Sequence, residues 1–218
     1  MRTKELEATI GGLSKPSKMP GLSYGLPAAE CKVGTLLRKK KGTVCSSCYA
    51  HKGMYSFGNV QRAQYNRLEI LMRDMEAWRL NMTALLVRKY ARKKSRADRV
   101  FRWHDSGDLQ NANHLAAIVQ IAKDLPDIQF WLPTKEYALI RDWVLQNDAF
   151  PFNLLVRVSS PSIGTTIEPP ISALSSTVGY SGGFQCPAST QASAAYNSQN
   201  RSEDPSTPGN RRIRSLEC

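Results

Sequence analysis

Apolar residues at Leu68, Leu71, Met75, Trp78, Met82 and Leu85 recur three and four positions apart. That period lays one stripe along a helix, or along two helices in series, between about 59 and 95. Asn59 is placed to cap it, because its side-chain oxygen can accept from free backbone donors. From about residue 99 the period changes repeatedly. Arg99–His104 reads as a strand, and Asn111 opens a helix carrying Leu115, Ile118, Val119 and Ala122, which Leu125-Pro126 stops. Ile128–Leu132 is a second strand, Thr134 caps a helix with Leu139, Ile140, Trp143 and Val144, and Leu154–Val158 is a third strand. Strands alternating with helices over short connections imply parallel neighbours and right-handed crossovers. The expected fold is α/β, a parallel sheet of repeated βα units that forms an incomplete (β/α) barrel. Residues 1–30, interrupted by Pro16, Pro20, Gly21, Gly25 and Pro27, read as irregular, and 32–44 as a basic loop. The Ser-, Asn- and Pro-rich stretch 189–218 reads as a disordered low-complexity tail, leaving 1–188 as one domain.

Composition narrows the class. A hydrophobic content of 41% over 218 residues suffices for a core, and no run of apolar residues is long enough to span a membrane. The first residues carry no apolar signal core, and five cysteines without one suggest reduced thiols in a cytoplasm rather than a disulfide scaffold. Charge is uneven. Residues 1–100 hold 21 Lys and Arg against 7 Asp and Glu, and the remainder 9 against 11. The excess gathers in Arg38–Lys41 and in Arg88, Lys89, Arg92, Lys93, Lys94 and Arg96, which suits a polyanion such as nucleic acid, or equally a solvated surface.

Cysteine spacing carries the most chemistry. Cys31, then Cys45-Ser-Ser-Cys48, then a distant Cys186 followed by Pro187 supply four thiolates, enough for an iron–sulfur cluster of the 4Fe–4S type or, as the alternative, a tetrahedral zinc. Three polar clusters fall where strands should end, the position of ligand sites in parallel α/β folds: His104-Asp105-Ser106-Gly107-Asp108, Thr134-Lys135-Glu136, and Arg157 with Ser159 and Ser160. From these, His104, Asp105, Asp108, Lys135, Glu136 and Arg157 are candidates to line a reactive pocket. Helix capping by Asp105, Asp108 and Thr134 would explain part of the same pattern. The three histidines form no His-x-x-x-His pair, which disfavours a histidine-based catalytic zinc. Neither a Gly-x-x-x-x-Gly-Lys phosphate loop nor a Gly-x-Gly-x-x-Gly fingerprint occurs.

Several segments, taken in order, resemble the phage gene product 88 family. They are Lys18-Met-Pro, Ser23–Ala28, Cys45–Gly53, Phe101–Leu109, Phe130–Glu136, Val156–Ser159 and Phe184–Ala188. That resemblance implies a phage protein acting in the host cytoplasm more than it implies a reaction. The Cys-x-x-Cys-Tyr-Ala piece is also similar to cluster motifs of radical S-adenosylmethionine enzymes. In those enzymes three cysteines hold a 4Fe–4S cluster and S-adenosylmethionine occupies the fourth iron. The similarity implies cofactor contacts from Tyr49, Ser106 and Gly107, with Cys186 either closing the cluster or leaving it open. A non-catalytic zinc module binding nucleic acid or a host protein through the basic half is the alternative.

Overall fold

In the computed structural model, residues 1–16, 19, 21–147, 149–170 and 173–176 are described. Their strands β1 (Leu22–Tyr24), β2 (Val100–Trp103), β3 (Gln129–Thr134), β4 (Leu154–Ser159) and β5 (Leu174–Ser176) form one sheet in chain order, every pair parallel. Spatial order equal to chain order means that each crossover steps the same way, the winding of a barrel rather than of a doubly wound sheet. The expected α/β fold is therefore present, as an open five-stranded arc. The connections carry α2 (Lys32–Arg38), α3 (Gly58–Arg73) and α4 (Met75–Tyr90) between the first two strands, then α5 (Ala112–Asp124) and α6 (Tyr137–Gln146); α1 (Thr3–Ile10) precedes them all.

The long apolar stripe is two helices in series. They part at Asp74, whose carboxylate accepts from the Ala77 N–H at 2.9 Å and so starts α4. Asn59 does not cap: α3 begins one residue earlier, with Phe57 at the cap position and no side-chain bond. Asn111 does cap α5, accepting from His114 N–H at 2.8 Å. Thr134 ends β3 instead of capping α6, although its hydroxyl still accepts from the Glu136 N–H at 3.0 Å. Residues 1–30 are not irregular throughout, since they hold α1 and β1, and the supposed loop 32–44 opens with α2. The expected tail 189–218 lies outside the described residues.

One face of the sheet meets the helices. Phe101, Phe130 and Leu154 share a register row on it, and Tyr24, Trp103, Leu132, Val156 and Val158 are buried with them. Trp78 of α4 packs its ring 5.6 Å from Tyr24, 5.9 Å from Trp103 and 5.5 Å from His114 of α5. The other face is more polar. Strand alternation puts Ser23, Arg102, Trp131 and Leu155 in one row there, with Arg157 one step nearer the carboxyl ends.

His104 breaks this alternation. It follows β2 with φ of +56°, a left-handed conformation that costs a non-glycine residue energy. The twist turns its ring toward the helices, 5.3 Å from His114. Both rings are buried, so desolvation holds both pKa values down: His104 well below the usual range, with help from His114 and Arg102, and His114 to about 3.

The native state thus keeps His114 neutral while the unfolded chain protonates near 6.5. Lowering the pH from about 6.5 toward 3 therefore favours unfolding, by up to about 1.4 kcal/mol per pH unit for this group. Asp108, raised to about 6, acts with the opposite sign between about 6 and 3.8. Urea titrations at stepped pH should show the His114→Phe variant losing less stability than wild type across that window. Parallel curves for the two proteins would refute the assignment.

Candidate metal centre at the carboxyl ends of the strands

The loops leaving β1 and β2 are bonded to each other. Leu26 N–H donates to Ser106 O and Ser106 Oγ to Leu26 O, both at 2.8 Å, while His104 N–H donates to Tyr24 O at 3.0 Å. Gly107, with φ of +80°, completes the contact: a Cβ there would sit 2.6 Å from Leu26 Cβ, so only glycine fits. Ser106 and Gly107 are thereby committed to joining two loops. Asp105 lies beneath, its Oδ1 accepting from Ser23 Oγ at 2.9 Å and its Oδ2 from Tyr55 OH at 3.1 Å. Tyr49 OH donates to the Asp105 carbonyl at 2.6 Å.

Asp108 is the hub of the next junction. Its carboxylate accepts from Thr134 Oγ1 at 2.6 Å, Lys135 N–H at 2.9 Å and Leu109 N–H at 2.8 Å, tying the end of β2 to the end of β3. Burial raises its pKa to about 6 although these three bonds pull the other way. Glu136 Oε1 accepts from Val33 N–H at 3.0 Å, which holds the start of α2 against the end of β3.

That last bond brings Cys31 to the site. Cys31 precedes α2, and Cys45 lies within a short 3-10 turn (Val44–Ser47) that Thr43 caps and Cys48 ends. All three are free thiols, Cys45 buried and the others half-buried. Gly34 packs closely on two of them: a Cβ on it would lie 2.9 Å from Cys31 Cβ, too close to be accommodated without a shift, and 3.7 Å and 3.8 Å from the Cys31 and Cys45 sulfurs. The Cys31 and Cys45 sulfurs therefore approach the same point beside Gly34. Burial pushes the Cys31 thiol up, and the negative charges of Asp108, Cys48, Cys45 and Glu136 push it further. Burial raises Cys45 too, against the pull of Lys135. Thiols and carboxylates of this kind attract a cation that can replace the thiol protons. Among the described residues, however, no group of three or more His, Cys, Asp or Glu is disposed to hold a single metal ion.

Of the expected pocket residues, Asp105, Asp108, Lys135 and Glu136 gather at these strand ends with Tyr49, Ser106 and Gly107. Arg157 sits lower on the polar face of the sheet, donating to Ser175 O at 3.1 Å. His104 points away, into the helix-side core. Cys186 lies outside the described residues. Sequence reasoning passed over Tyr55, Val33 and Arg102; for Arg102 the available signal was a charged residue between Phe101 and Trp103 in an otherwise apolar strand.

The two basic runs do not form one face. Lys39–Lys41 lead into Gly42, Thr43 and Val44, which bond to Ile163, Ser162 and Pro161 beyond β4, at the carboxyl end of the sheet. Arg96 and Arg99 instead meet Pro126 and Asp127, ahead of β3, at the amino end. No helix among the described residues is long and apolar enough to cross a membrane.

Truncating Asp108 to Ala should cost about 1–3 kcal/mol for each buried donor left unsatisfied. Glu136→Gln should cost much less, since an amide oxygen can still accept from Val33. Chemical denaturation of both variants checks the ranking, and equal losses would contradict it.

The family model described as Gene product 88 matches residues 2–194. No curated protein and no solved structure matches, so the similarity to radical S-adenosylmethionine enzymes gains no support from these comparisons.

Proposed function

The chain belongs to the phage gene product 88 family, and on that footing we propose that it is an iron–sulfur protein whose cluster is held by Cys31, Cys45 and Cys48 at the carboxyl end of the open barrel. The observation that carries this reading is the approach of the Cys31 and Cys45 sulfurs to one point beside Gly34. Three free thiols, none in a disulfide, suit a cluster that takes thiolates at its separate corners. A mononuclear zinc draws four donors to about 2.3 Å from one point. Zinc held by the same thiols is the alternative, and metal and sulfide content separates the two.

The chain's own residues supply the setting. Glu136 and Asp108 fix the cysteine-bearing segment and the strand ends, and Lys135 offsets part of the negative charge that thiolates bring. A cluster bound there would supply electron transfer or an open iron for a ligand. The fourth ligand would be Cys186 or an exogenous group such as S-adenosylmethionine, and Tyr49, which follows Cys48 directly and is held by its bond to Asp105, would be a cofactor contact. We further propose that the protein works in the host cytoplasm, where thiols stay reduced.

Anaerobic purification followed by iron, sulfide and zinc assays tests the proposal. Iron and acid-labile sulfide in equal amounts, lost on changing Cys31, Cys45 or Cys48 to Ser, are the expected result. Gly34→Ala should also lower cluster content, because the added methyl would lie 2.9 Å from Cys31 Cβ and must displace that cysteine. Stoichiometric zinc without sulfide would overturn the cluster in favour of the zinc module.

A further inference from the structure

On the polar face of the sheet, Arg102 forms no ion pair among the described residues. Arg102 projects from β2 and lies over the ring of Trp131 on β3, its guanidinium carbon 4.5 Å from the centroid. Its hydrogen bond to protein is a long one, 3.5 Å to Tyr49 OH. Its Nε is buried with no hydrogen-bond partner, and among the described residues no carboxylate pairs with it. The nearby Asp105 carboxylate is occupied by Ser23 and Tyr55. A buried N–H that bonds to nothing is costly, and a cationic one more so.

Position adds to this. Arg102 shares its register row with Ser23 and Trp131, and Arg157 stands one step nearer the strand ends on the same face. The Arg38–Lys41 run lies at the same end of the sheet, beside the loop after β4. Arginine presents a planar fork of donors that matches an oxyanion in bidentate fashion, and stacking on Trp131 holds that plane fixed.

We propose that the polar inner face of the sheet is an oxyanion-binding site in which Arg102, pinned on Trp131, grips a phosphate or carboxylate group of the substrate. Arg157 deepens the positive potential below the strand ends, and the basic run at the rim draws the anion in by long-range attraction. The ligand is thus an anionic small molecule or an anionic group on a larger one, seated against the sheet with its remainder directed toward the cysteine-bearing loops. This inference rests on the sheet face alone and stands whether or not the thiols hold a cluster.

The test is calorimetric titration of the full chain with inorganic phosphate and, separately, with acetate, at constant ionic strength set by chloride. Saturable binding of at least one ion is expected, and the preferred ion identifies the group that the substrate carries. Arg102→Ala should weaken that binding by about tenfold or more, the loss of a charged hydrogen-bonding fork. Arg102→Lys keeps the charge and the stem over Trp131 but loses the fork, and should weaken it too; this second variant decides the matter if the alanine protein does not fold. Failure of both ions to bind, or wild-type affinity in a folded Arg102 variant, would overturn the proposal.

Discussion

Two buried carboxylates that accept backbone N–H groups hold the working end of this protein together. Asp108 takes three donors and joins the end of β2 to the end of β3. Glu136 takes the Val33 N–H and joins the end of β3 to the start of α2. Parallel strands have no turns linking their carboxyl ends, so loops there need bonds of their own. A carboxylate serves well, since it offers several acceptor sites and binds donors more strongly than a neutral group. Cys31 stands two residues before Val33, so its position follows from the Glu136 bond.

The division of the sheet into two unlike faces has a comparable reach. Helices α1, α4 and α5 cover the aromatic face, and the Trp78 contacts with Tyr24, Trp103 and His114 fill it. The opposite face keeps Ser23, Arg102 and Arg157 at positions where a doubly covered sheet would carry valine or isoleucine. Such residues cost stability unless something polar meets them. Tyr49 and Tyr55 reach over from the cysteine-bearing segment to do part of this, through Asp105 and Arg102. The same tyrosines therefore link the polar face to the thiols above it.

Much of this was legible in the residues. The stripe from Leu68 to Leu85 and the alternation after residue 99 identify both long helices and three of five strands, because each buries a regular face. β1 and β5 are three residues each, too short for any period to show. α1 offers only Leu6 and Ile10 as its buried pair. Spacing singled out the cysteines and the strand-end acids, but not the partners that fix them, since Val33 acts through its backbone and Tyr55 through a contact 50 residues away. His104 shows the limit most clearly. Its place in a polar strand-end motif suggests a ligand, and a single left-handed φ angle sends the ring into the core instead.

X-ray absorption at the iron edge, on protein made and kept without oxygen, tests the central claim most directly. The thiols of Cys31, Cys45 and Cys48 should contribute to a sulfur shell at about 2.3 Å, accompanied by a short iron–iron shell. Replacing any one of the three should remove the iron–iron signal. A shell of oxygen and nitrogen alone, or an iron–iron signal unchanged in all three variants, would contradict the account.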